Sequence, residues 1–338
     1  MNRSVPEVRA SDRPTGLIDT LQAGFNAVNR NVWLLIIPIA VDLFLWWGPQ
    51  PTAGPMLERW LAQAPPPQLA GSLGSNFEDN RRAAVESLRR GEGVARYNLL
   101  AFLAPLPMGI PAFMAPPLPF VPAQVRGEGP SLPLDSPISV LAVVLASIVL
   151  GLMLATLFYG LLAQGVREGR AGLTRFLPDL PQLTVWVGAL FLLVIAAIIV
   201  ATGPFIALFV ATQTTGAQSA AAAVASVAAA LLFGVALWAF IYLFFTPHAL
   251  YVTKVAPFAA IQNSILIVRY NFWSAVGLIL LMFLISEGLG VVWQQLTLSV
   301  RTAGVAMSIV GHIYISAGLA ASGMTYYKER FERLRPAS

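Results

Sequence analysis

Four ionisable residues lie in or beside long apolar stretches of this sequence: Asp42, Glu287, Arg301 and His312. Asp42 falls ten residues into the run that opens with Asn31-Val32-Trp33. A carboxylate at the bilayer centre costs about 2.5–3.5 kcal/mol on insertion scales. Asp42 therefore reads as a proton or cation site, or as the partner of an Arg or His inside a helix bundle. It also stands within one turn of Trp46, which would instead place it near the outer headgroups. Glu287 belongs to Ser286-Glu287-Gly288-Leu289-Gly290, just ahead of Gln294 and Gln295. A helix that ends there puts Glu287 either in a water-exposed vestibule or in a buried site. His312 shares a helix face with the small residues Gly304, Ser308, Gly311, Gly318 and Ser322, where an interhelical hydrogen bond is the plain reading. Together the four residues form a candidate polar cavity in the outer half of a bundle.

Other chemistries are excluded by composition. The chain holds 2 His and no Cys, which rules out a His-built metal site, thiolate ligands, disulfides and a Cys nucleophile. No phosphate-binding glycine loop, dinucleotide fingerprint, HExxH or GxSxG occurs. Paired carboxylates occur at Glu78-Asp79, on a solvated helix face. No catalytic, cofactor-binding or metal-binding residue is expected, and no enzyme. The net charge of +5 sets topology in a membrane protein and does not point to nucleic acid.

The elements that must position these residues are membrane helices. Of 338 residues 57% are hydrophobic and 11% charged, against roughly 25% charged in soluble domains. Such a chain cannot cover a core in water, so lipid is its solvent. Apolar runs long enough for about 30 Å of hydrocarbon begin near Val32 and Pro137, fall twice within the charge-free stretch from Leu180 to Thr253, and begin again near Phe272 and Gly304. The expected fold is all-α: a polytopic bundle of about six transmembrane helices in three hairpins, with cytoplasmic interfacial helices.

Residues 1–16 read as a disordered cytoplasmic N-terminus and 17–48 as an interfacial helix plus the first span. Residues 49–136 form an extracytoplasmic insertion, 137–325 a five-span bundle, and 326–338 a basic cytoplasmic tail. Within the insertion, helices are expected at 56–63 and at 76–90, the latter capped by Asn76. The proline-dense stretch 105–122 forbids helix and inner strand, so it dips into the interface or covers the bundle. On the 137–166 span, Ser147, Gly151 and Ala155 form a small-residue helix-packing face.

An internal repeat links two of the entries into the membrane. Residues 21–33 align with 261–273 at an offset of 240, with Gln, Val, Asn and Trp shared at four of 13 positions. Each copy is an amphipathic helix that meets a span at Asn-x-Trp. A looser third copy is 173–186. Leu21, Phe25 and Val28, and Ile261, Ile265 and Val268, should face lipid tails or span bases. Gln22, Asn26, Gln262 and Arg269 should face water. The two helices, 17–30 and 258–270, should lie flat at the cytoplasmic surface near each other, because Asn31 and Asn271 are poor helix-interior residues. Orientation follows from Lys and Arg: 13 fall in segments 1–30, 167–183, 247–271 and 326–338, and Arg301 alone in the short opposite loops. Both termini are then cytoplasmic.

The stretch from Thr246 to Leu284, with Ala259, Ala260 and Ser264 ahead of Phe272-Trp273, resembles a broad class of bacterial six-span proteins. It is similar to the membrane domain attached to some glycerophosphodiester phosphodiesterases and to related families of unknown function. That resemblance implies a bacterial cell (inner) membrane. It carries over no activity, because the catalytic domain is absent and the long insertion departs from the pattern. Two functional classes follow. One is a non-enzymatic binding, scaffold or accessory component, whose partners are the lipid bilayer and another membrane protein or a second copy. The alternative is a small-molecule or lipid transporter using Asp42, Glu287 and His312.

Overall fold

The computed structural model describes residues 15–63, 74–90, 97–104, 108–115, 129–215 and 218–334, except for the side chains of 74–78, 80, 204–225 and 301. Residues 1–14 of the disordered N-terminus expected over 1–16, and the proline-rich 105–107 and 116–122, lie outside the described residues. The architecture is all-α, with one two-stranded sheet. Helices α1 (Leu17–Asn29) and α2 (Ile36–Trp47), joined by a 3-10 turn at Val32–Leu35, are bent by 81°. The insertion carries α3 (Gly54–Gln63) and α4 (Gly74–Arg89). Then follow α5 (Pro137–Glu168), the short α6 (Leu173–Phe176), α7 (Leu180–Thr215), α8 (Gln218–Leu243), α9 (Thr246–Thr253) and α10 (Pro257–Tyr270).

Helical backbone then runs from Phe272 to Leu334, but it doubles back as α11 (Phe272–Val300) and α12 (Thr302–Leu334). Ser308 Oγ donates to the Trp293 carbonyl at 3.1 Å, whereas 15 residues of straight helix would separate them by roughly 22 Å. Five helices are long and apolar enough to cross a membrane, and the bent α1–α2 pair makes six.

Three inner helices form the centre: α5, α9 and α12, whereas α8, which leads into α9, buries none of its described side chains. Phe158 and Leu161, Phe245 and Leu250, and Ile313, Ala317 and Tyr326 are fully buried there. Small residues set the packing. A Cβ on Gly323 of α12 would collide with the ring of His248 on α9.

The segment leading into each hairpin packs on the inner helix of the preceding one. Phe176 seats on Gly160 of α5. Ser264 of α10 donates to the Tyr242 carbonyl at the end of α8 and accepts from the Phe245 N–H. The ring closes at α1, which runs antiparallel to α12. Thr15 N–H donates to Glu329, Ser322 Oγ lies 3.3 Å from the Leu21 carbonyl, Phe25 covers Gly318, and Tyr314 Oη donates to Asn29.

The interfacial helices therefore differ from expectation. The two do not lie side by side: α1 packs on α12, and α10 on the α8–α9 junction. On α1 the stripe is as read, with Val28 buried, Leu21 and Phe25 against the core, and Gln22 and Asn26 exposed. On α10 the buried face is Ala260, Ser264, Ile267 and Val268, while Phe258 and Ile265 point outward. The small residues are buried because α10 must approach backbone at the α8–α9 turn. The expected basic tail, 326–338, is helical over its described residues, 326–334. Helix α12 continues to Leu334, with Tyr326, Tyr327 and Arg330 buried, because the aromatic stripe carries the core contact beyond the apolar run.

The insertion starts and ends on strands β1 (Gln50–Thr52) and β2 (Ser131–Pro133), paired in parallel with Pro51 opposite Leu132. These strands had no sequence signal, since each contains a proline. Proline is tolerated because both strands of a two-stranded sheet are edges. Helix α4 begins at Gly74, ahead of the expected cap Asn76. Arg89 pairs with Glu58 at 2.6 Å across α3 and α4, and Arg59 with Asp135 at 2.8 Å.

Gly24 supplies a direct test of ring closure. An alanine methyl there would lie 2.5 Å from Ser322 Cα, whereas one at Gly188 meets nothing within 4 Å. Gly24→Ala should destabilise the protein by about 1–3 kcal/mol through overpacking. Gly188→Ala should be neutral or stabilising by up to ~1 kcal/mol. Detergent-titrated unfolding checks both, and equal effects would show that α1 is not locked onto α12.

Candidate functional site

The site worth examining is built around Asp42, and it explains where the insertion goes. After α4 the chain returns into the bundle. A 3-10 turn at Leu99–Leu103 is capped by Asn98, whose side chain accepts from the Leu100 N–H at 3.0 Å. Leu99, Ala101 and Leu103 are buried, as are Met108, Ile110, Ala112 and Ala115. The small-residue face of α5, Ser147-Gly151-Ala155, does not receive a helix here. It receives this turn, and a Cβ on Gly151 would fall on the Leu103 carbonyl. The described part of the proline-rich stretch thus lies inside the bundle, between α2, α5 and α12.

Non-helical backbone in an apolar interior must find partners for its N–H and C=O groups. Prolines reduce the number of donors to satisfy, and Pro111 lies in this segment. Two of the remaining donors meet Asp42. The Phe113 N–H donates to Oδ2 at 2.8 Å and the Met114 N–H to Oδ1 at 2.9 Å. Asp42 itself has no exposed surface, and Trp46, one turn further along α2, is 3% exposed. Earlier in the same segment, the Gly109 carbonyl accepts from Tyr159 Oη at 3.4 Å, and the Tyr159 ring stands 5.7 Å from the Tyr251 ring.

His312 approaches the same loop from α12, with its ring 5.8 Å from that of Phe113. Asp42 and His312 thus flank one residue, Phe113. Glu287 is exposed on α11, and the Arg301 side chain lies outside the described residues. Two clefts among the described residues lie elsewhere. One is an apolar groove of about 610 Å³ on α8, walled by Leu231, Trp238 and Tyr242. The other is a cleft of about 210 Å³ between Arg167 and Lys328. Among the described residues no three His, Asp or Glu side chains converge as metal ligands. Chemically the Asp42 site is a two-point acceptor for backbone N–H groups.

Sequence reasoning missed a buried amide side chain. Asn31, 2% exposed, donates to the Ala27 and Gly169 carbonyls at 2.9 and 3.3 Å and accepts from the Ala171 N–H at 2.8 Å. It ties the α1–α2 bend to the loop after α5, where Gly169 takes the left-handed conformation at φ 81. Its repeat counterpart Asn271 has nearly the same backbone, φ −131 and ψ 35 against −133 and 39, and bonds the carbonyl four residues back in the same way. The shared Asn-x-Trp was the visible signal. The contact to Ala171 had none, because that partner is 140 residues away.

Asp42→Ala leaves two buried N–H groups without an acceptor, at about 1–3 kcal/mol each. It should destabilise the protein by ~2–5 kcal/mol and speed amide exchange at Phe113 and Met114. Asp42→Asn keeps one acceptor oxygen and should fall between wild type and Asp42→Ala. Glu287→Gln, on an exposed side chain, should change stability by less than about 0.5 kcal/mol. Unchanged exchange at 113 and 114 in Asp42→Ala would remove this role from the carboxylate.

No family model, no curated protein and no solved structure matches this chain.

Proposed function

We propose that this chain is a non-enzymatic component of a bacterial inner membrane that binds or scaffolds another membrane protein or a second copy of itself. One observation carries the reading: three buried polar side chains at breaks in the helices serve the chain's own backbone. Asp42 accepts from 113 and 114, Asn31 serves 27, 169 and 171, and Ser264 serves 242 and 245. A transporter working through Asp42, Glu287 and His312 would instead need them to face one aqueous cavity, whereas Asp42 has no exposed surface and Glu287 is exposed on α11. The bacterial assignment rests on the resemblance of the Thr246–Leu284 stretch. The orientation, with both termini cytoplasmic, rests on the distribution of Lys and Arg.

Two measurements test this. Photo-crosslinking in intact membranes should trap the chain with a stoichiometric protein partner. Catalytic turnover or solute flux by the purified chain in liposomes, abolished by His312→Ala with the fold intact, would overturn the non-enzymatic reading. For orientation, protease added to spheroplasts should cut within 49–136, where Arg59 and Arg82 are exposed, and should spare the C-terminal end. The opposite pattern would invert the topology.

A further inference from the structure

The three inner helices converge at their basic ends on a cleft of about 210 Å³, and each contributes to its wall. Helix α5 supplies Arg167, α9 supplies Val252 and Thr253, and α12 supplies Lys328, Phe331 and Glu332. Arg167 is held in a fixed pose. Its Nη1 donates to the Tyr251 and Val252 carbonyls at 3.2 and 2.9 Å, and its side chain is 20% exposed. Those bonds engage one of its nitrogens, and a guanidinium carries five N–H donors. Lys328 Nζ donates to the Arg167 carbonyl at 3.4 Å, and an ammonium has three donors.

Both cations thus answer helix C-terminal carbonyls and still retain donors at the cleft. Val252 and Phe331 give it an apolar floor, 6% and 9% exposed. Three carboxylates are near, of which Asp179 pairs with Lys254. Glu332 stands on the rim. Glu168 lies 4.0 Å from Arg167 and 3.8 Å from the exposed Arg175, which draws it outward. A pre-positioned guanidinium and an ammonium over an apolar floor, between membrane helices, suit an anionic headgroup.

We propose that this cleft binds a phosphate-bearing anion, with Arg167 and Lys328 donating to its oxygens. The inference goes beyond the scaffold reading and does not require it. The same chemistry is offered by a phospholipid headgroup and by free phosphate, and the test separates them. The full chain is purified in an uncharged maltoside detergent, and its thermal midpoint is followed on titration with phosphatidylglycerol, with diacylglycerol, and with inorganic phosphate.

A rise with phosphatidylglycerol whose apparent Kd weakens about tenfold in Lys328→Gln, ~1.4 kcal/mol, establishes the site with lipid as its source. The same Lys328-dependent rise with inorganic phosphate establishes it with free phosphate. Glu332→Gln, on an exposed side chain, removes a repulsive charge and should tighten binding several-fold, which keeps the test decisive if Lys328→Gln folds poorly. An equal rise with diacylglycerol, a rise insensitive to Lys328→Gln, no rise with either anion, or no change in Glu332→Gln would each overturn the proposal.

Discussion

The structure depends on one constraint: inside an apolar bundle, every backbone group freed by a break in a helix must be satisfied by the protein itself. The chain breaks its helices repeatedly, and several of these breaks are met by a polar side chain. Asn31 answers the α1–α2 bend and the turn after α5. Gln164 accepts from the Gly172 N–H in that same turn at 3.1 Å. Ser264 both donates and accepts at the α8–α9 junction. Arg167 takes the last carbonyls of α9, where Lys254 turns the chain through φ 51. Asp42 takes the two N–H groups of the inserted loop. Leaving such a group unpaired costs about 1–3 kcal/mol, so a few residues decide whether this path through the bundle is possible.

The ring of three hairpins follows from a second, steric condition. Segments that meet inner helices end-on or side-on must come close, and small residues permit it: Gly160 under Phe176, Ser264 against Tyr242 and Phe245, Gly24 and Gly318 between α1 and α12. Because the first segment packs on the last helix, the arrangement closes on itself. Without that closure Gly318 and Ser322 would lose their cover from Phe25 and the Leu21 carbonyl. The antiparallel run of α1 along α12 also links the chain's beginning to its basic end, through Thr15 with Glu329 and Arg330 with the Thr15 carbonyl.

These two conditions bear directly on function. Residues that look like chemistry in an apolar sequence, an Asp, an Asn and an Arg among helices, are engaged here by the chain's own carbonyls and amides. A carboxylate whose two oxygens both accept backbone N–H groups is a structural acceptor. The cleft at the basic end differs, because its two cations keep donors beyond those that the helix ends use.

Much of the fold was legible in the sequence, because lipid imposes it locally. A charge-free run from Leu180 to Thr253 reads as membrane helices, and the Asn-x-Trp entries marked breaks that the structure keeps, with matching dihedrals at Asn31 and Asn271. Periodicity and segment length involve near neighbours, and one chain suffices to read them. Tertiary structure alone decided that α1 packs on α12 and not beside α10, and that Ser147-Gly151-Ala155 receives a 3-10 turn in place of a helix. It also decided that Asp42 serves Phe113 and Met114, 71 and 72 residues away. Those pairings join segments far apart in the chain through close approach and backbone hydrogen bonding. Backbone amides are the same at every residue, so nothing in the sequence marks which of them a distant carboxylate will reach.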